Sequence, residues 1–116
     1  MNPDTSVTPG RFAATDLDCL LTLAMPNALQ DEVLDLLLQQ TDLVPGCSVL
    51  QGHGMGPQAP LNTAMERVQG RAQRVFVQIV LRSPDVAPLL TRLREAVPSP
   101  LVVYWAVPLQ AFGSLA

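Results

Sequence analysis

Arg74-Val75-Phe76-Val77-Gln78-Ile79-Val80-Leu81-Arg82 is the stretch that decides the fold. Successive strand side chains point to opposite faces, so Val75, Val77, Ile79 and Leu81 share one side, and Arg74, Phe76, Gln78, Val80 and Arg82 the other. The first set is wholly apolar and belongs in a core. The second mixes Phe76 and Val80 with polar residues, too apolar for a freely solvated surface and suited to contact with another subunit.

Working outward, Cys19-Leu20-Leu21-Thr22-Leu23-Ala24-Met25 reads as another strand, with Cys19, Leu21, Leu23 and Met25 on one face. Asn27 is an N-cap candidate with Gln30 at the capping-box position and Asp31 and Glu32 in the first turn, where negative charge complements the helix dipole. The helix runs to about Thr41, with Leu29, Val33, Leu36, Leu37 and Gln40 on its inner stripe. Val44 to Gln51 has strand character, and Pro45 confines its start to a sheet edge or a bulge, with an edge strand expected.

Beyond the decisive strand, Val86, Leu89, Leu90, Leu93 and Val97 form a second helical stripe. Pro88 fits the first turn if Asp85 is the cap. Leu101 to Val107 supplies the last strand, in which either Tyr104 or Trp105 faces away from the helices. Two β-α-β halves with one apolar face per helix predict an α+β, ferredoxin-like βαββαβ fold, a four-stranded antiparallel sheet with both helices on one face. Residues 1–16 read as a flexible arm and 17–116 as the domain, with a long Gly/Pro-rich loop at 52–70.

Composition narrows the function classes. The 116 residues are 48% hydrophobic and 15% charged, enough apolar material for one core. No apolar run spans a bilayer, so membrane insertion is not expected. The start of the chain lacks the pattern of a secretory signal, and the two cysteines, Cys19 and Cys47, suit a reducing compartment, so a cytoplasmic location is expected. The net charge is −3 with only 7 basic residues, all arginines, and an acidic chain with so few cations argues against nucleic acid as a partner.

Three sets of residues carry candidate chemistry. Gly52-His53-Gly54 combines backbone freedom with the only histidine. His53 with Cys47 or Met55 offers a soft-ligand set suited to a Cu or Zn ion. Arg67, Arg71 and Arg74 flank the entrance to the decisive strand and suit a nucleotide or another anion. No nucleophile, base and orienter assemble in the sequence, and the absence of lysine removes a phosphate-cradling P-loop, so an enzyme is not expected.

The order Gly52-His53-Gly54, Glu66-Arg67-Val68-Gln69-Gly70-Arg71 and Tyr104-Trp105-Ala106-Val107-Pro108 with Gly113 resembles a bacterial family of uncharacterised PII-like proteins, often encoded beside heavy-metal efflux systems and distantly similar to nitrogen regulatory protein PII. The resemblance implies a homotrimer that binds a small effector in clefts between subunits, near Gly52, His53, Gly54 and Arg71. It also implies a signalling loop for a partner such as a membrane transporter or efflux component. Pro98-Ser99-Pro100 stands where PII sensors carry a Gly-rich phosphate-contacting turn. CutA-type metal-tolerance trimers share the architecture and give the alternative reading, a metal-binding trimer.

Overall fold

The computed structural model describes residues 16–55, 61, 63–69 and 72–116. Among them, β1 (Cys19–Pro26), α1 (Gln30–Gln39), β2 (Ser48–Gly54), α2 (Ala64–Gln69), β3 (Ala72–Leu81), α3 (Ser83–Ala96) and β4 (Val103–Pro108) follow one another. The strands form one antiparallel sheet in the order β2-β3-β1-β4. This is the ferredoxin-like arrangement expected from the two β-α-β halves.

The alternation in β3 is realised: Val75, Val77, Ile79 and Leu81 are fully buried. They join Cys19, Leu21, Leu23 and Met25 of β1 in one cluster with Val33 and Leu37 of α1 and Leu89, Leu90 and Leu93 of α3. Both long helices therefore cover the same sheet face. Leu43 and Val44, held after α1 by their amides donating to the Gln40 carbonyl at 3.1 and 2.8 Å, close the core from below.

Element ends depart from expectation for identifiable reasons. Asn27 does not cap α1; it opens a 3-10 turn, Asn27–Leu29, and its Nδ2 donates to Gln73 Oε1 across to β3. Strand β2 begins at Ser48 instead of Val44, because Leu43 and Val44 turn inward and Pro45-Gly46 follow them. It is an edge strand, as Pro45 implied. It also runs on to Gly54, and α2 occupies another part of the 52–70 stretch that was expected to be loop.

Helix α3 starts at Ser83, two residues before the expected Asp85 cap. The cap comes from elsewhere: Asp18, preceding β1, accepts from the Ser83 amide at 2.8 Å and the Ser83 hydroxyl at 3.2 Å. Pro84 sits in the first turn and Pro88 inside the helix, at the loss of one backbone hydrogen bond. On β4, Trp105 pairs with Thr22 and Tyr104 with Leu23. Cross-strand partners share a face, so Trp105 lies on the open side and Tyr104 on the helix side.

Candidate functional site

The end of the sheet at which β2 finishes and β3 begins gathers most of the residues singled out in the sequence. Gly52 pairs with Arg74, His53 with Gln73 and Gly54 with Ala72. Pleating separates them into two sets. Gly52 and Arg74 lie on the open face, while His53 and Gln73 lie on the helix side, with His53 exposed.

Arg74 is the unexpected member. It points away from the core, as alternation requires, yet it is only 4% exposed. Its Nη2 reaches the Leu101 carbonyl at 3.5 Å, a long contact, and its Nη1 is buried with no hydrogen-bond partner among the described residues. Burial pushes the guanidinium pKa down, because taking the charge out of water disfavours the charged form.

Gly52 has a packing reason to be glycine. A Cβ at this position would lie 2.9 Å from Cε2 of Phe76. The Phe76 ring, over Gly52, stands 6.5 Å from the Trp105 ring at 54°, a tilted aromatic contact. The small Ala24, partner of Phe76 on β1, leaves room between them.

Glu66, on α2, is 4% exposed and belongs to a capping box. The Glu66 amide donates to Thr63 Oγ1 at 3.1 Å and the Thr63 amide to Glu66 Oε1 at 3.1 Å. Its other oxygen accepts from the Gln73 backbone amide at 2.5 Å, which ties α2 to the start of β3. The pattern Thr63-Ala64-Met65-Glu66 is a capping-box signature in the sequence, and it would have revealed α2.

The remaining candidates do not all meet. Arg67 is exposed on α2, and Arg71 lies outside the described residues. Met55, just past β2, is 73% exposed. Cys47 precedes the opposite end of β2, six residues and about 20 Å of extended chain from His53, so one chain does not bring the two together. Among the described residues, no three His, Cys, Asp or Glu side chains gather as a metal centre would require.

Arg74 lines neither of two grooves on the described surface. One of about 410 Å³, at the opposite end of the open face, is lined by Leu20, Cys47, Gln78, Val80 and Phe112 among others and has no charged side chain. A second of about 330 Å³ runs between α3 and β4, with Arg94 at its rim. There the guanidinium lies 5.9 Å from the centre of the Tyr104 ring, and Nη2 donates to the phenol oxygen at 3.3 Å.

A model of the family described as a protein of unknown function, DUF3240, matches residues 15–116. The chain belongs to this family. A DUF3240 family protein from Shewanella baltica OS155 has a similar structure, at TM-score 0.69 and 22% identity, covering 86% of this chain and 98% of that one. CPII, a nitrogen regulatory PII-like protein from Thiomonas intermedia K12 bound to ADP, AMP and bicarbonate, superposes at TM-score 0.62 and 16% identity, covering 84% and 96%. CutA1 from Pyrococcus horikoshii gives 0.59 and 10%, covering 84% and 88%. Nothing matches among curated proteins. At these identities the solved structures show a shared fold, so the DUF3240 chain has the architecture of PII-like and CutA proteins.

Proposed function

We propose that this DUF3240 chain is a cytoplasmic, PII-like regulatory protein with a binding and not a catalytic role. In this reading three copies pack through their open sheet faces, and a small effector occupies the clefts between them. Residues 52–70 report its presence to a partner protein, for which a metal-efflux component is the candidate.

The observation that carries the reading is the open face itself. Leu50, Trp105 and Val107 are each more than 40% exposed, and register places them beside Leu20, Phe76 and Val80 on the same side. An apolar surface running across all four strands calls for a cover. Facing copies around a closed rotation axis would bury it symmetrically. The ligands named for CPII, an adenine nucleotide and bicarbonate, make anions the first effectors to try.

Light scattering is expected to give three times the chain mass, and Trp105→Glu to give one. Differential scanning fluorimetry with ADP, AMP and bicarbonate should raise the melting temperature of the trimer. A monomer at micromolar concentration, together with a melting temperature indifferent to all three, would remove the reading.

A further inference from the structure

Arg74 has no side-chain acceptor among its immediate neighbours on the sheet. Its cross-strand partners are Pro26 on β1 and Gly52 on β2. Along β3, the residues two before and two after it, on the same face, are Ala72 and Phe76. None of the four has a side-chain acceptor. Pro26 and Gly52 have only backbone carbonyls, Ala72 a methyl and Phe76 a ring. The remote Leu101 carbonyl touches Nη2 alone, and among the described residues Nη1 is left without a partner.

We propose that Arg74 is the anchor for a small oxyanion, a carboxylate, bicarbonate or phosphate group, whose oxygen accepts from Nη1 at the Gly52 end of the open face. This deepens the effector-binding reading and rests on it. A guanidinium offers a planar fork of donors, and an oxyanion supplies charge and acceptor together, which no neutral ligand does. An unpaired charge out of water is costly, and such groups are retained where a partner arrives. The depressed guanidinium pKa agrees with a cation whose counter-charge is not supplied by the chain.

Because Nη1 is sheathed by the protein, an anion reaches it only when the surrounding side chains part. Arg74 stands two residues into β3, where the connection from β2 enters the sheet. Gln73, its neighbour, donates its backbone amide to the Glu66 carboxylate and accepts from the Asn27 side chain at Oε1. Occupancy at Arg74 thereby bears on the strand end that fixes both α2 and the turn before α1.

The test compares the full chain with Arg74→Met, which keeps the length and apolar stem of the side chain and removes its charge. A second variant, Arg94→Gln, removes an exposed arginine on the helix side of the sheet, opposite the face that carries Arg74. Sodium bicarbonate and sodium phosphate are titrated at constant ionic strength against chloride. Both anions, or one of them, should raise the melting temperature of the wild type and of Arg94→Gln, with at least a tenfold loss of affinity in Arg74→Met. Without added anion, Arg74→Met should melt higher than the wild type by about 4 °C, because the uncompensated charge is gone.

An equal anion response in wild type and Arg74→Met would overturn the assignment even if the protein is a nucleotide-binding trimer. So would a wild type indifferent to both anions, or an Arg74→Met protein that melts lower and no longer assembles, which would place the acceptor on a second copy. Conversely, an Arg74-dependent anion response in a monomer would uphold the anchor while the trimer reading fails.

Discussion

Asp18 and Ser83, 65 residues apart, form the N-terminal cap of α3: the Asp18 carboxylate takes both the amide and the hydroxyl of Ser83, at 2.8 and 3.2 Å. The helix thus depends on a residue outside its own segment. Loss of a cap costs about 1 kcal/mol, with an upper range of about 2. Asp18→Ala should lower stability by that amount in urea unfolding, and Asp18→Asn, which retains an acceptor, should recover part of it. An Asp18→Ala protein as stable as the wild type would show the cap to be ornamental.

A larger residue at Gly52 must push the Phe76 ring aside, since its first carbon falls 2.9 Å from that ring. The backbone itself does not resist, so the cost is one of packing. Gly52→Val should destabilise by about 1–3 kcal/mol, the range for overpacking, and Phe76→Leu in the same chain should relieve part of the loss. Trp105, the only tryptophan, touches Phe76 and reports the displacement as a change in its fluorescence.

Arg92 clamps α3 to the end of α1. Its Nη1 and Nη2 donate to the two Asp42 oxygens at 2.9 Å each, and Nη1 also reaches Gln40 Oε1 at 2.7 Å. Both side chains are well exposed, so the pair is open to screening. In a double-mutant cycle with Arg92→Ala and Asp42→Ala, the coupling should shrink between 0.1 and 1 M salt, where the screening length falls from about 10 to about 3 Å. Coupling that ignores salt would point to packing as its source.

Burial raises the thiol pKa of Cys19, with Asp18 adding to the effect, and burial alone raises that of Cys47. A group with a raised folded pKa keeps its proton in the native state after the unfolded chain has lost it. Its contribution to stability is therefore complete below the unfolded value, near 8.5, and is lost as pH rises through the folded one. Unfolding free energy should fall from pH 8 to pH 10, less steeply in Cys19→Ala. A profile of equal slope in the variant would assign the loss to other groups.

The strands were legible because each core position in β1 and β3 is apolar and each alternates, a pattern that a buried antiparallel sheet imposes directly. The start of α3 was not, since local rules point to Asp85 while the cap is donated by Asp18 across the fold. The candidate site was half legible. Gly52 and Arg74 meet because of register, which the alternation in β3 and the edge position of β2 imply. The separation of His53 from Cys47 follows from the extended run of β2 between them, and the burial of Arg74 emerges only once distant segments such as Leu101 fold against it.

The Asp18 junction has a practical consequence. The Asp18 amide donates to the Leu81 carbonyl and the Leu109 amide to the Asp18 carbonyl, so the chain enters β1 and leaves β4 at one pole. Arg74 and Gly52 lie toward the other, along a strand of about 20 Å. A dye, a surface tether or a fused reporter attached beyond Leu109 would start from the far pole. Titration of the proposed anion could then be followed optically without loading the end of the sheet that carries Arg74.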